Sequence, residues 1–314
     1  MNLNLRNPLR APFPLGKPTW PTTVPRPPVE KNTGVNYETE WARRYPARLA
    51  RAVIVDDVLR PVVHLLASPT VHGAERLSDV GPPAIFAANH HSHLDTGLLL
   101  SSLPDRFRHK TIVAAAADYF FTTRGKSAFS ALAMGAVPIE RLRVNRRSAD
   151  LAADLIDEGW SVVIFPEGGR SVDGWGRKFQ GGAAYLSLRC DRPIVPVHVE
   201  GTRRVMKKGD SYPTPVGGPF GRGKGVTVRF GTPMKGRVGE DARRLAARLE
   251  TVVAALADEG ATDWWAAQRR AASGATPSLA GPQAGAWRRS WALEENLRET
   301  ERRRWPQASY GRKR

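Results

Sequence analysis

Short apolar runs alternate with longer amphipathic stretches through the middle of the chain. Apolar runs of strand length occupy residues 84–88, 111–115, 136–139, 161–165, 194–199 and 226–230. Stretches with helical spacing lie between them, at 93–102, 126–133, 146–158 and 181–190. This alternation predicts an α/β fold in which a mostly parallel sheet is flanked by helices.

The segment before this alternation has the pattern of an amphipathic helix. Residues 38–67 predict helix with interruptions at Pro46 and Pro61, because proline removes a backbone hydrogen bond. Its apolar positions are Leu49, Val53, Leu59, Val62, Val63 and Leu66, and its basic positions are Arg43, Arg44, Arg48, Arg51 and Arg60. Two interpretations are open: a helix lying in a membrane interface, and a helix packed on the core of the domain.

These patterns divide the chain into four segments. Residues 1–34 form a Pro-rich, basic leader that is expected to be disordered, and residues 35–70 form the amphipathic helical segment. Residues 71–260 form the α/β domain. Residues 261–314 form a basic helical tail, where tryptophans among arginines suit a lipid headgroup layer, RNA or plain exposure to solvent.

The charge balance narrows the class of partner. The 314 residues include 48 lysines and arginines against 30 aspartates and glutamates, a net charge of +18. This excess favours anionic partners such as phospholipid surfaces, phosphorylated substrates or nucleic acid. Cys190 is the single cysteine, which excludes an intrachain disulfide. No signal peptide and no apolar run of bilayer length are evident, so we expect a cytoplasmic protein peripheral to the inner face of the cell membrane.

The most informative short segment follows the first apolar run and reads Asn89-His90-His91-Ser92-His93-Leu94-Asp95. Five positions along one helix turn a side chain by about 500°, so His90 and Asp95 meet only if a helix starts near Ser92. Ser92 would then be the N-cap and Asp95 the third helical residue. Two interpretations are open: a general base oriented by a carboxylate, and a capped helix beside incidental histidines.

Further blocks follow or occupy later apolar runs. Arg141 comes after the run at 136–139, and Glu167-Gly168-Gly169-Arg170-Ser171 comes after the run at 161–165. In the run from 194 to 199, Pro196 is expected to end strand pairing at a sheet edge. Because ligands of such sheets bind beyond the carboxyl ends of the strands, we expect His90, Arg141 and Glu167 to Arg170 to converge there.

These blocks, in this order, resemble the glycerolipid acyltransferase family over residues 70–235. The resemblance implies that His90 is the general base with Asp95 as its partner, and that Arg141 and Arg170 bind the acceptor phosphate. It further implies that the segment from Glu167 to Ser171 binds substrate, with Glu167 holding the loop or an arginine and Gly168 permitting a tight turn. One departure is Gly169, because the family usually has threonine there.

The resemblance also implies an O-acyltransferase that moves a fatty acyl chain from acyl-CoA or acyl-carrier protein to a lysophospholipid, foremost 1-acylglycerol-3-phosphate. Other acceptors are open, namely a glycolipid, another lysophospholipid or glycerol-3-phosphate. A protein of a different class, a basic non-catalytic membrane or nucleic-acid binding protein, would not need an oriented base. We expect no cofactor, no nucleic-acid partner, and no metal at His91 and His93, since adjacent histidines rarely converge on one ion.

Overall fold

The computed structural model describes residues 33–140, 146–171, 174–218, 221 and 223–281. Within these residues the strands are β1 (Thr70–His72), β2 (Ile85–Ala88), β3 (Thr111–Ala116), β4 (Ala136–Ile139), β5 (Ser161–Ile164), β6 (Ile194–Glu200) and β7 (Thr227–Phe230). They form one sheet in the order β1-β7-β6-β2-β5-β3-β4. All neighbouring strands are parallel except β6 and β7, which pair antiparallel.

Helices connect and cover the strands. Their bounds are α1 (Tyr45–Val53), α2 (Arg60–Ala67), α3 (Leu94–Ser102), α4 (Asp105–Arg108), α5 (Ala117–Phe120), α6 (Arg124–Met134), α7 (Arg146–Asp157), α8 (Gly182–Cys190), α9 (Thr202–Val205), α10 (Ala242–Ala261) and α11 (Trp264–Ala272). The segment Ile54–Leu59 between α1 and α2 is π-helical. The predicted α/β fold with a mostly parallel sheet is confirmed.

Two details of the sheet differ from the sequence-based expectation. Strand β1 was not predicted, since its sequence has no apolar run. Its three residues are exposed, and they form a strand through pairing with β7. The edge position expected for Pro196 is wrong: Pro196 lies in β6, between β2 and β7, and is paired with Ala87. Its carbonyl accepts a hydrogen bond from Gly231 N. Pro196 therefore gives up only the one sheet hydrogen bond that a backbone N–H would have donated.

Apolar side chains from the two faces of the sheet form two large clusters. One face packs Phe86 against Phe107 and Phe230, with ring centroids 5.2 and 6.4 Å apart in edge-to-face geometry. The other face packs Ile85 and Val162 against α7, α8 and α10. Strand β2 is buried along its whole length because it contributes side chains to both clusters. The residues that follow β2 therefore start from a rigid point in the middle of the sheet.

The N-terminal helices present two apolar faces. Val55, Val63 and Ala67 are buried against the domain, whereas a second set of side chains is exposed: Tyr45, Leu49, Val53, Val58, Val62 and Leu65. We call this second set the exposed apolar row. Its spacing is four residues up to Val53, then five to Val58, and the longer step falls in the π-helical segment. One extra residue per turn in a π-helix keeps the row on one side of the helices.

Two prolines lie near the starts of these helices. Pro46 lies in the first turn of α1, where a missing N–H costs no internal hydrogen bond, and Pro61 lies in the first turn of α2, which continues the π-helical segment. No helix among the described residues is long and apolar enough to cross a bilayer. The expectations for residues 1–32 and for the Trp/Arg-rich part of the tail, from 282 on, lie outside the described residues.

Candidate active site

The loop after β2 brings His90 and Asp95 together. His90 Nδ1 lies 2.9 Å from Asp95 Oδ2, and the Asp95 side chain is completely buried while that of His90 is 15 % exposed. A loop of five residues, Asn89 to His93, separates β2 from α3, which supplies the turn that the spacing required. The carboxylate accepts from Nδ1–H, an assignment based on this contact, and Nε2 is then the basic nitrogen of the ring.

Asp95 is held as a carboxylate by several donors. The backbone N–H groups of His91 and Ser92 donate to its Oδ2 at 2.7 and 2.8 Å. Burial raises the pKa of Asp95, but the hydrogen bond and charge of His90, together with Thr202 and the Ser92 N–H, bring the pKa below its ordinary value. Asp95 therefore stays ionised and can stabilise a protonated His90.

The start of helix α3 differs from the predicted cap. The helix begins at Leu94, so His93 is the N-cap, Ser92 precedes it, and Asp95 is the second helical residue. The Ser92 hydroxyl accepts from Leu94 N at 3.1 Å, while Asp95 accepts from Ser92 N. The two side chains thus cap reciprocally one residue out of the expected register, because Asp95 also serves His90. One carboxylate thus contacts both the His90 ring and the backbone before the helix, so the geometry is compatible with either interpretation of this segment.

Asn89 ties the loop to the neighbouring strand. Its Nδ2 donates to Val199 O at 2.8 Å and its Oδ1 accepts from Val199 N at 2.7 Å, so its amide replaces one backbone pair of a strand. Asn89 is 1 % exposed. A buried bidentate contact of this kind fixes the direction in which the chain leaves β2.

The segment after β5 holds the backbone of His90. Glu167 Oε1 accepts from His90 N at 3.0 Å, and Ser171 N donates to His90 O at 2.9 Å. Glu167 Oε2 accepts from Arg177 N at 3.0 Å, which anchors the carboxyl at its other end. Burial raises the pKa of Glu167 to about 7. Glu167 and Ser171, expected from the resemblance to bind substrate, position the histidine in this structure.

The glycines of the segment fit the tight turn. Gly168 has a φ of +68°, a conformation that L side chains rarely adopt, and an added Cβ would lie 2.5 Å from the Gln180 amide nitrogen. Gly169, half-buried, occupies the position of the missing threonine. Nothing in the structure ties Gly169 to a particular acceptor.

Arg170 reaches the same edge of the sheet. Its guanidinium lies 5.6 Å from the centre of the Tyr119 ring, and Tyr119 is hydrogen-bonded to His93 Nε2 at 2.8 Å. Burial, followed by the charges of Arg170 and His90, lowers the pKa of His93 to about 4. His93 is therefore neutral near pH 7, and it lies close enough to Arg170 and to His90 for both charges to lower its pKa. Arg141 lies outside the described residues, so its expected place beside Arg170 stays a prediction.

The three histidines of the loop have different neighbours. His93 stacks on Tyr119 at 5.1 Å, and His91 lies close enough to His198 to help burial lower the pKa of His198 to about 3. The described residues contain no group of three or more histidine, cysteine or acidic side chains suited to a metal ion. His91 also lines a cavity of about 370 Å³ with Asn89, His198 and residues 277–279.

Sequence reasoning missed several residues of the site. The Phe165 ring stacks on His90 with centroids 4.1 Å apart, and it limits the rotation of the imidazole. Thr202 is fully buried near Asp95. Phe165 was visible as the last apolar residue before Glu167, but its contact with His90 depends on the β2–β5 pairing. A single sequence has no signal for such a cross-strand contact.

A histidine whose Nδ1 is bound to a buried carboxylate, at the carboxyl edge of a parallel sheet, has the geometry with which a general base can activate a hydroxyl. Residues 68–200 match the family model described as Acyltransferase. This match bears out the resemblance to the glycerolipid acyltransferase family that was drawn from the motifs.

Curated relatives are similar to part of this chain. A chloroplastic 1-acyl-sn-glycerol-3-phosphate acyltransferase of Brassica napus is 31% identical over 142 residues, covering 44% of this chain and 39% of the relative. The beta 1-acyl-sn-glycerol-3-phosphate acyltransferase of Homo sapiens is 32% identical over 118 residues, covering 37% and 40%. The chain thus spans about two fifths of the length of the curated relatives it matches.

A solved structure has a related outline. The crystal structure of the 1-acyl-sn-glycerophosphate acyltransferase PlsC from Thermotoga maritima aligns with a TM-score of 0.49 and 21% sequence identity. The alignment covers 69% of this chain and 81% of that chain.

Proposed function

We propose that the chain is an O-acyltransferase of phospholipid biosynthesis that transfers a fatty acyl chain from an acyl thioester to a hydroxyl of a lysophospholipid. The observation that carries the proposal is the 2.9 Å contact between His90 Nδ1 and Asp95 Oδ2, in the loop directly beyond β2. The relatives named above as 1-acyl-sn-glycerol-3-phosphate acyltransferases support 1-acylglycerol-3-phosphate as the acceptor.

In the proposed reaction, His90 removes the proton of the acceptor hydroxyl as its oxygen attacks the thioester carbonyl. A C–O bond forms, the C–S bond breaks, and the departing thiolate takes the proton back from the imidazolium. Asp95 stabilises that imidazolium through the Nδ1 contact. A base of this kind contributes about 10²–10⁴-fold to the rate. No acyl-enzyme is needed, because the thioester is already an activated acyl donor.

The acceptor phosphate is proposed to bind Arg170, together with Arg141. A guanidinium presents two parallel donors to a phosphate, which a lysine ammonium does not. Arg170 adjoins His93 and Tyr119 at the edge of the sheet where His90 lies. A phosphate held there would place a glycerol hydroxyl near the imidazole.

The donor and the membrane are further parts of the proposal. Acyl-CoA or acyl-carrier protein supplies the thioester. Peripheral association with an anionic membrane, on the cytoplasmic inner face, is supported by the net charge of +18 and by the exposed apolar row on α1 and α2. The acceptor and product are amphiphiles, so catalysis at a membrane surface matches their location.

A thiol-release assay tests the function. Purified protein is incubated with palmitoyl-CoA and a panel of acceptors: lysophosphatidic acid, lysophosphatidylglycerol, glycerol-3-phosphate and a glycolipid. His90→Ala is expected to abolish acceptor-dependent thiol release. His72→Ala, an exposed histidine of β1, is the matched control and should keep full activity.

The outcomes separate the alternatives. Release that requires lysophosphatidic acid and fails in His90→Ala supports the reaction and the acceptor together. Release with another acceptor keeps the reaction and replaces the lysophosphatidic acid assignment. Absence of release with both palmitoyl-CoA and palmitoyl-carrier protein would refute the proposal and favour a non-catalytic binding protein.

A further inference from the structure

A cluster of cations surrounds Trp160 at the amino ends of the strands. The guanidinium carbons of Arg48 and Arg51 lie 5.4 and 5.5 Å from the centre of its ring, and Lys110 Nζ lies 5.9 Å away. Trp160 precedes β5 and Lys110 precedes β3, whereas His90 follows the carboxyl end of β2. Because β2, β3 and β5 are parallel, this cluster and the catalytic pair lie at opposite edges of the sheet.

Among the described residues, Arg51 carries a buried charge without a counterion. The residue is 4 % exposed, and neither of its terminal guanidinium nitrogens has a hydrogen-bond partner among the residues that the structure describes. Burial, followed by the charges of Arg48 and Arg43, lowers the pKa of Arg51 to about 10. Stacking on an indole attracts a cation but does not satisfy its N–H donors.

Contacts among the described residues satisfy only part of this cluster: Lys110 Nζ donates to Glu158 O at 2.8 Å, whereas both terminal nitrogens of Arg51 lack a partner. Arg51 approaches Gly135, the residue that ends α6, and the partial negative charge of a helix end favours a cation there. One half-charge does not balance three neighbouring cations, and unpaired buried donors are strongly destabilising. An external anion that binds these cations would compensate their charge and stabilise the folded state, so an anion is a partner that fits the cluster.

The neighbourhood of the cluster points to the source of that anion. Arg48 and Arg51 lie on α1, the helix that also exposes Tyr45, Leu49 and Val53. Arg48 lies three positions after the exposed Tyr45, and residues with this spacing are neighbours on a helix surface, so an apolar surface that suits acyl chains adjoins a cationic surface that suits phosphate. An anionic phospholipid combines the two groups, because its phosphate lies directly above its acyl chains at the membrane interface.

We propose that Arg48, Arg51 and Lys110 around Trp160 bind the phosphate of an anionic phospholipid, at a site separate from the acceptor site beside His90. The site rests on the membrane association proposed above and gives it a specific headgroup contact. The half-buried Arg48 and Lys110 meet the phosphate first, and Arg51 behind them supplies further charge. The lipid bound there is an anchor and not a substrate.

Vesicle binding by the full chain tests the site. Binding to phosphatidylcholine vesicles is compared with binding to mixed phosphatidylcholine and phosphatidylglycerol vesicles by co-sedimentation at fixed ionic strength. Arg48→Gln combined with Arg51→Met should weaken binding to the mixed vesicles by about 25-fold, from about fivefold for each of the two charges near the surface. Arg243→Gln combined with Arg244→Gln removes the same charge from an exposed part of α10 and should weaken it less than about twofold. Equal losses in the two pairs would overturn the site in favour of a diffuse field.

Unfolding of the single variants separates binding from a structural role. Arg51→Met should leave the thermal midpoint of the lipid-free protein unchanged or raised, since it removes an uncompensated buried charge. A lowered thermal midpoint with unchanged vesicle binding would show that Arg51 has a structural role and would refute the proposal. Arg48→Gln, at a half-buried position, provides the binding result even where Arg51→Met folds poorly.

Two further measurements identify the ligand and distinguish a loss of lipid binding from a loss of catalysis. Short-chain phosphatidylglycerol should raise the thermal midpoint of the wild type, and inorganic phosphate should do so far less. Equal shifts would overturn the lipid assignment in favour of a free anion. Activity on detergent-dispersed substrates should be retained in the Arg48/Arg51 pair, so that lost vesicle binding is distinguished from a lost active site.

Discussion

Glu167 holds His90 by its backbone and not by its ring: Oε1 of Glu167 accepts from His90 N at 3.0 Å, across 77 positions of sequence. The second oxygen accepts from Arg177 N, so both oxygens are used within the protein. An acidic side chain facing the substrate would repel the phosphate that Arg170 is proposed to bind. The contacts of Glu167 instead hold the backbone of His90, the proposed base.

Glu167→Gln should lower turnover by about 10- to 100-fold with a small change in the acceptor KM. The amide turns an NH2 group toward one of two N–H donors, which loses one tie and displaces the imidazole, and small displacements of a catalytic group are costly. Steady-state kinetics with both substrates varied measure it. Glu75→Gln, at an exposed position, is the control. A raised acceptor KM with unchanged turnover would contradict the positioning role.

The stability of the protein should depend on pH through groups that act with opposite signs. Glu167 has a pKa of about 7 when folded against an ordinary 4.5, so the folded state keeps a proton and the free energy of unfolding falls as pH rises between these values. His198 and His93 have pKa values of about 3 and about 4 when folded against 6.5, so the unfolded state binds the extra protons and stability rises with pH up to 6.5.

These two slopes oppose each other between pH 4.5 and 6.5. Glu167→Gln removes the falling contribution, so the stability of the variant should rise more steeply with pH in that window, by up to about 1 kcal/mol per pH unit. Urea unfolding at several pH values measures the slope. Parallel curves for the variant and the wild type would show that Glu167 does not titrate in this window.

Asp95→Asn should reduce turnover by about 10²–10⁴-fold while the protein stays folded. The amide is isosteric but neutral, and it no longer stabilises the imidazolium or fixes the tautomer of His90. Thiol release measures the loss, and circular dichroism checks the fold. The double variant with His90→Ala should be no slower than His90→Ala alone, because the two side chains act as a unit. Additive losses would show that Asp95 acts independently of His90.

The sequence predicted the sheet and the pairing of His90 with Asp95 because both depend on local pattern. Apolar runs specify buried strands, and the five-residue spacing leaves a turn as the one way for the side chains to meet. The contacts of Glu167 with His90, and of Asn89 with Val199, depend on which strands are neighbours. Strand order is set by packing across the whole domain, so no local pattern carries it.

The helical register at α3 failed for a related reason. The capping rule assigned Ser92 as N-cap from its residue type and from Asp95 three positions on. In the structure, Asp95 Oδ2 binds His90 and two backbone N–H groups together, and the helix starts two residues after Ser92. Because Asp95 contacts both His90 and the backbone before the helix, the capping rule alone does not predict where the helix begins.

Gly168→Ala should lower turnover much more than its effect on stability suggests. Gly274 has nearly the same φ, +70° against +68°, but open space around it, so Gly274→Ala measures the strain alone, about 1–2 kcal/mol. Both variants should unfold at similar urea concentrations, while only Gly168→Ala should lose activity, because its strained peptide adjoins Glu167. Adding Gln180→Ala to Gly168→Ala should recover part of that activity, since it removes the amide that the new Cβ meets. No recovery would assign the loss to backbone strain.

Arg170→Ala should raise the KM of the acceptor by about 10- to 100-fold and change the KM of the donor little, because a charged hydrogen bond to phosphate contributes about 1.5–3 kcal/mol. Arg170→Lys keeps the charge but loses the planar fork, so it should recover only part of the affinity. Arg177→Ala is the matched control: its exposed side chain lies on the same loop, and its backbone N–H, which binds Glu167, is kept. An acceptor without phosphate removes the interaction from the other side, so wild type and Arg170→Ala should then have the same acceptor KM. A loss of equal size for that acceptor would assign Arg170 to the loop through its contact with Tyr119 and not to the phosphate.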